Sequence, residues 1–183
     1  MKRKHIYSLG LIMIFPVLMA TVGWVSAAPA VVQPMLVSTV LTSQFSSPSP
    51  DPSGLAYNPN DRTLIMSDGE VDEMPSLYVE RNIFVATLTG ELLDGFTTVT
   101  TPIHSNEPSG LAYNTGNGHL YLSDDHALKV FDDDPGADGR FNTADDVIRS
   151  FSTSGFGNSD PEGIGYDSWH NRLILTSGAN EEV

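Results

Sequence analysis

The chain has no cysteine and few basic residues, and both shortages exclude whole classes of function. Without cysteine it cannot use thiol catalysis, and it cannot hold thiolate-ligated zinc or an iron–sulfur cluster. Only 9 Lys and Arg stand against 23 Asp and Glu among 183 residues, a formal net charge of −14. So acidic a surface repels nucleic acid and anionic lipid, and we expect neither as a partner.

Helical periodicity and familiar catalytic motifs are also missing from the sequence. No segment keeps a 3.6-residue apolar period, whereas short runs rich in Val, Thr, Tyr and Phe recur, as strands prefer. The nucleophile motif Gly-x-Ser-x-Gly does not occur. None of His104, His119, His126 and His170 has the spacing of a metal-ligand pair. Whether the chain is an enzyme therefore stays open on the sequence alone.

One long apolar run is present, at the N terminus, directly after the basic residues 2–4. Small residues follow it, and this order is typical of a secretory signal peptide over residues 1–27, with Ala30 as a second cleavage point. The alternative is an uncleaved anchor, because the run is nearly long enough to span a bilayer. Pro16 near its middle favours the signal peptide. We expect a secreted, periplasmic or cell-surface protein with no membrane contact beyond this leader.

Three stretches repeat one pattern: DPSGLAYN at 51–58, EPSGLAYN at 107–114 and DPEGIGYD at 160–167. Their starts lie 56 and 53 residues apart, which is near the period of propeller blades and too long for most helical solenoids. Each copy continues through a polar turn into an apolar strand. Two further strands are predicted after each of the first two copies, at residues 82–88, 95–101, 127–132 and 146–152.

Four strands per repeat predict an all-β fold, a β-propeller with four-stranded blades. A closed ring needs roughly four to eight blades, whereas this chain supplies about two and a half, so we expect a fragment or closure by another chain. Open strand edges are then expected, and they favour aggregation. The predicted divisions are a signal peptide at 1–27, a short segment at 28–34, a lone outer strand at 35–45, blades at 51–101 and 107–152, and a half blade at 160–183.

An Asp- and Gly-rich loop, FDDDPGADGRFNTADD at 131–146, is the densest group of acids in the chain. So many carboxylates repel one another unless they are solvated or bridged by a cation, and Ca²⁺ prefers such oxygen ligands. The spacing matches part of an EF-hand loop, but Gly136 stands at position three of that loop, where Asp or Asn is usual. A solvated acidic hairpin is the alternative. The predicted Ca²⁺ ligands are Asp132, Asp134, Asp138, Asp145 and Asp146.

The acids that open each repeat form a second candidate site. Side chains alternate along a strand, so each leading acid shares a face with the residue between Pro and Gly. Innermost blade strands line the central channel, which would place these side chains at its mouth. The alternative is that the acids only shape the turn into the strand. The candidate channel-mouth ligands are Asp51, Glu107, Asp160 and Glu162.

Acids also follow the second strand of the repeats. Asp68 holds this place in the first copy, and Asp124 and Asp125 hold it in the second. Asp caps turns by local hydrogen bonding, and capping is the favoured interpretation here.

The repeated phrases resemble known families of secreted propellers. EPSGLAYN followed by LYLSDD is similar to the SdiA-regulated family of calcium-binding propellers, and DPEGI resembles the esterase-like phytase propellers. A looser likeness is to the gluconolactonase/regucalcin (NHL-like) group, in which Asn or Asp between Pro and Gly holds a divalent metal over the channel. The matching positions are Ser53, Ser109 and Glu162, and of these Glu162 has the chemistry of a ligand.

Two hypotheses of function follow from these observations. In the first, the protein is a secreted calcium-binding propeller that acts as a binding or scaffold module for an unknown small molecule or surface partner. In the second, it is a metal-dependent hydrolase of phosphate esters or lactones, with its site at the channel mouth.

Overall fold

The computed structural model describes residues 34–100 and 104–179. The chain divides into two compact units, Met1–Leu36 and Val37–Val183. Only residues 34–36 of the first unit are described, so the predicted signal peptide at 1–27 lies outside the described residues. Among the residues that are described, no helix is long and apolar enough to cross a membrane.

The described residues of the second unit form ten antiparallel strands in three sheets. The first sheet has the order β1-β2-β3-β4, the second β5-β6-β7-β8, and the third pairs β9 with β10. Each strand pairs with the strand next to it in sequence, so both four-stranded sheets are simple meanders. The strands are β1 (Pro52–Asn58), β2 (Thr63–Asp68), β3 (Ile83–Thr87), β4 (Leu92–Phe96), β5 (Pro108–Tyr113), β6 (Leu120–Asp124), β7 (Lys129–Asp134), β8 (Val147–Ser152), β9 (Pro161–Asp167) and β10 (Arg172–Ser177).

The prediction of an all-β fold with four-stranded repeats is confirmed, and two strand predictions need correction. The fourth strand of the first sheet is Leu92–Phe96, earlier than the predicted 95–101. A tight hairpin causes the shift, since Gly90 has φ +87° and its N–H bonds to the Thr87 carbonyl at 2.9 Å. Residues 35–45 form no strand; the described part of this segment has one 3₁₀ turn, Thr42–Gln44. The hydrogen bonds of this segment are local, from Gln44 N–H to the Leu41 carbonyl and from Ser49 N–H to the Thr42 carbonyl, so it turns instead of pairing as a strand.

The hydrophobic core lies between the first two sheets. Alternation along each strand turns Ala56, Ile65, Ile83 and Phe96 to one face of the first sheet, where they meet one face of the second. Burying such faces against each other is what stabilises stacked sheets. The second sheet contributes Leu111, Leu120, Leu122 and Phe131 to this core.

The innermost strands β1, β5 and β9 lie side by side, and glycine permits their close approach. A Cβ on Gly54 would lie 2.8 Å from the Leu111 nitrogen, and one on Gly110 would lie 2.5 Å from the Glu162 carbonyl oxygen. The two glycines occupy the same place in successive repeats. The glycine of the first two repeats is therefore a packing requirement of the backbone.

A buried carboxylate interrupts the core. Asp133 pairs across the sheet with Leu120, has no exposed surface, and neither carboxylate oxygen has a hydrogen-bond partner. The imidazole Nε2 of His104 is 3.9 Å from its Oδ2. Burial, and then the negative charges of Asp146, Asp132 and Asp134, raise the pKa of Asp133 to about 7.

Gly110→Ala tests the close approach of the inner strands. We expect a loss of about 1–3 kcal/mol in the free energy of unfolding, because the new methyl group must displace backbone of the next repeat. Gly165→Ala is the matched control, since a Cβ there meets nothing within 4 Å. Urea denaturation of both variants measures the difference; equal stabilities would contradict the packing role.

Asp133→Asn tests the cost of the buried carboxyl. Between the ordinary pKa of 3.8 and about 7, the unfolded chain releases this proton while the folded chain keeps it. Stability is therefore not reduced by Asp133 below the unfolded-state pKa of 3.8. It falls as the pH rises from there through the folded-state pKa of about 7. The variant should gain stability relative to the natural chain from about pH 4 to about pH 8. Parallel stability profiles in chemical denaturation would refute this.

Candidate metal centre

Three carboxylates from neighbouring repeats meet at one end of the inner strands. Oxygens of Asp125, Asp160 and Glu162 all lie within 4.8 Å of one another, and these three residues are the acidic triad of this site. Asp125 follows β6 directly, Asp160 precedes β9, and Glu162 is the second residue of β9. Asp125 and Asp160 are partly buried and Glu162 is exposed. Two of the predicted channel-mouth acids, Asp160 and Glu162, are therefore brought together by the fold.

Asp125 is held in place by a buried neighbour and a serine. The carboxylate of Asp124 has no exposed surface and accepts bonds from Ser105 Oγ at 2.8 Å and the Ala127 N–H at 2.6 Å. These bonds fix the turn from which Asp125 projects. Ser109 Oγ then donates to Asp125 Oδ1 at 2.8 Å, which orients its carboxylate. The capping predicted for Asp124 is thus what positions Asp125.

Asp160 and Glu162 are positioned by the start of β9. The Asn158 Oδ1 accepts the Asp160 N–H at 3.0 Å, and the Asp160 carbonyl accepts the Gly178 N–H at 3.0 Å. A Cβ on Gly178 would lie 2.7 Å from Asp160 Oδ2, so glycine leaves room for this carboxylate. The Glu162 carbonyl accepts a bond from Ser123 Oγ on the adjacent sheet, which ties the two repeats together.

A polar cavity of about 160 Å³ opens beside the triad. It runs along the starts of the inner strands and includes two more predicted acids, Asp51 and Glu107, together with the serines that follow them. Asp51 and Glu107 contribute no oxygen to the group of three. The lining residues are Asp51, Ser53, Gly69, Glu70, Glu107, Ser109, Asp125 and Glu162.

The local field at this cavity is negative. Burial raises the pKa of Glu162, and the charges of Asp125 and Asp160 raise it further. Burial likewise raises the pKa of Glu107, helped by Asp125 and Asp124. No ion pair within the described ranges involves the acidic triad. His126 acts in the opposite direction on Glu107, but the pKa of Glu107 is still raised, so a cation placed here would relieve the remaining repulsion.

The donor chemistry of the triad fits a hard divalent cation. Carboxylate oxygens bind Ca²⁺ at about 2.3–2.6 Å, so two ligands of one ion lie at most about 5 Å apart. The spacing of the triad meets that limit. Three protein ligands also leave positions for water or a ligand, since Ca²⁺ takes about six to eight oxygens.

The preceding repeat junction has the same geometry without the ligands. Gly69 occupies the place of Asp125, Glu107 that of Asp160, and Ser109 that of Glu162. Of these three residues only Glu107 is an acid, and within the described residues no group of three close ligand oxygens forms at this junction. Both junctions share the close strand contact at a glycine, Gly54 in the first and Gly110 in the second.

The predicted loop ligands are dispersed by the hairpin between β7 and β8. Asp132 and Asp134 lie on strand β7 of the second sheet. The Oδ1 of Asp132 lies within hydrogen-bond distance of His119 Nδ1, at 2.7 Å. Arg149 Nη1 lies 3.5 Å from Asp134 and 3.9 Å from Asp132. These two acids therefore lie close to two basic side chains, Arg149 on β8 and His119 directly before β6.

The other loop acids serve the turn. Asp145 accepts the Ala137 N–H and the Thr143 hydroxyl, both at 2.7 Å, and these bonds lower its pKa, the hydroxyl bond most. Asp146 accepts the Thr143 N–H at 3.1 Å, and Asp138 accepts the Arg140 N–H at 2.8 Å. Within the described part of the chain, the loop acids form no group of three with oxygens close enough for one ion.

Asp125 is the site residue that sequence reasoning assigned to another role. Its neighbour Asp124 is the capping residue, and the two adjacent acids could not be told apart by composition. The signal that distinguishes them is the repeat alignment. Asp124 corresponds to the buried Asp68, which accepts the Val71 N–H at 3.0 Å, whereas Asp125 corresponds to Gly69 and has no capping counterpart.

Comparison with known proteins adds a distant likeness. No protein-family model matches the sequence, and no curated protein matches it either. Among solved structures, the chain is similar to a gluconolactonase from Xanthomonas campestris described as important in glucose secondary metabolic pathways, at 23% sequence identity and a TM-score of 0.44. The match covers 69% of this chain and 35% of that one, so this chain spans about a third of the other's length.

Proposed function

We propose that this chain is part of an exported β-propeller that binds Ca²⁺ at the mouth of its central channel and serves as a binding module. The observation that carries the proposal is the acidic triad of Asp125, Asp160 and Glu162, whose oxygens lie within 4.8 Å of one another. The triad is formed by two successive repeats, so the cation would also link one blade to the next.

The topology supports a propeller. Both four-stranded sheets are antiparallel meanders; the first strand of one, β1, lies next to the first strand of the other, β5, and β5 lies next to β9. Sheets that repeat about a common axis in this way are blades. Closure of a ring requires blades beyond those in the described residues.

The charge of the chain supports Ca²⁺ as the cation. Removal of residues 1–27 leaves 6 Lys and Arg against 23 Asp and Glu, a formal net charge of −17. Outside the cell Ca²⁺ is present at levels that modules with affinities of about 10⁻⁴–10⁻³ M can use. An exported chain without disulfides gains stability from such an ion, because ligand binding to the folded state alone shifts the folding equilibrium.

Isothermal titration with Ca²⁺ tests the site. Glu162→Gln and Asp125→Asn should each weaken binding roughly tenfold or more, since the charge of the ligand set tunes Ca²⁺ affinity. Asp138→Asn is the matched control, because its carboxylate belongs to the exposed hairpin. Loss of binding in Asp138→Asn with no change in Glu162→Gln would move the site to the loop and overturn this proposal.

The same titration repeated at several pH values tests the electrostatics. The pKa of Glu162 is raised, so its carboxyl keeps a proton to higher pH than an ordinary Glu. Protons then compete with Ca²⁺, and the affinity should begin to fall at a pH above the ordinary Glu value of 4.5 and keep falling as the pH is lowered through it. The dependence should be weaker in Glu162→Gln. An affinity that is flat across this range would contradict a carboxylate site with raised pKa values.

A metal-dependent hydrolase is the second candidate, and the polar cavity beside the triad favours it. An ion held by three carboxylates keeps positions at which water could be activated and a phosphate ester or lactone polarised. Phytate and simple lactones, assayed with and without Ca²⁺, separate this role from binding. Activity that requires Ca²⁺ and is lost in Glu162→Gln supports hydrolysis; Ca²⁺ binding without turnover supports the module alone.

A further inference from the structure

Within the described residues, the first and the third sheet each have one face that no other sheet covers. On the second sheet, Leu111 is 4% exposed and Tyr113 packs against the core. The equivalent residues of the first sheet, Leu55 and Tyr57, are 61% and 46% exposed. The first sheet therefore has an exposed apolar face near its first strand, and no sheet packs against that face within the described residues. We call it the leading surface, formed by Leu55 and Tyr57.

Only the inner part of that sheet face is open. Farther out, Met66, Phe84 and Ala86 form a second buried cluster, and Phe45 from the preceding segment packs on it. The open part is thus limited to the inner strands. A two-stranded partner matches it in size, and the third sheet, β9 with β10, has two strands.

The third sheet has the opposite surface, which we call the trailing surface, formed by Gly163, Ile174 and Thr176. We call the space in front of the glycine of each repeat a slot. The slots at Gly54 and Gly110 are filled by the backbone of the next repeat. At Gly163 a Cβ would meet only the Thr176 side chain within 4 Å. Ile174 is 41% exposed. The slot that receives an inner strand at two junctions is thus present a third time.

The third sheet also has a hydroxyl group at the position that makes a hydrogen bond across the second junction. Ser123 Oγ bonds to the Glu162 carbonyl across the second junction. Thr176 occupies the corresponding position on β10, where it accepts the Gly163 N–H at 2.8 Å and reaches only the Gly163 carbonyl, at 3.4 Å. It could donate to the first residues of a further inner strand.

We propose that the trailing surface of one copy binds the leading surface of a second copy, so that the chain associates head to tail. The argument for a second copy is the sequence of the docking strand. Residues 52–57 and 108–113 both read PSGLAY, so β1 of another molecule presents the same six residues as β5, which fills the slot over Gly54. Such a contact is heterologous and generates a ring or an open chain of molecules.

Analytical ultracentrifugation of the exported full chain over a range of concentrations tests the proposal. The natural chain should show reversible, concentration-dependent association. Leu55→Glu on the leading surface and Ile174→Glu on the trailing surface should each weaken self-association at least tenfold. Leu93→Glu is the matched control, because Leu93 is 55% exposed on the outer strand β4; it should associate like the natural chain. Thermal unfolding verifies that the variants fold.

A mixture of the two interface variants gives the decisive result. Leu55→Glu keeps an intact trailing surface and Ile174→Glu keeps an intact leading surface, so a head-to-tail contact predicts a one-to-one complex on mixing. A natural chain that stays monomeric overturns the proposal. So does a mixture that forms no complex, or an association that Leu93→Glu disrupts equally. Added EDTA should leave the association in place, which separates this outcome from failure of the proposed Ca²⁺ site.

Discussion

The close approach of the innermost strands at Gly54 and Gly110 is the constraint on which the rest of the arrangement depends. Each glycine faces the backbone of the next repeat at a distance that no side chain allows. This contact sets the spacing of the sheets, and the spacing in turn brings the apolar faces of the first two sheets into a common core. It also aligns the starts of the inner strands, where the acids of successive repeats meet.

The candidate metal centre follows from that alignment. Asp160 and Glu162 belong to one repeat, and the strand contact between Gly110 and Glu162 brings Asp125 of the preceding repeat to them. The buried carboxylate of Asp124 fixes the turn, Ser109 orients Asp125, and Gly178 leaves space for Asp160. The first junction has the same kind of close strand contact, at Gly54, but lacks the three carboxylates. The strand contact alone therefore does not create the candidate metal site.

Much of the fold could be predicted from the repeats, because a period of about fifty residues with four short strands admits few architectures. The hairpin at Gly90 and the turn at Thr42–Gln44 could not, since strand ends depend on which edges find partners. For the site, the repeat openings predicted Asp160 and Glu162. Acid density pointed to the 131–146 loop as well, but density does not report where side chains point, and there Arg149, His119 and backbone N–H groups engage the carboxylates.

The location of the bound ion is the most direct test of the account. A crystal structure of the protein grown with Ca²⁺ would show it by the density and oxygen distances of the ion. The account predicts an ion between Asp125, Asp160 and Glu162 at about 2.3–2.6 Å from their oxygens. An ion bound within the 131–146 hairpin, with the acidic triad holding only water, would contradict it.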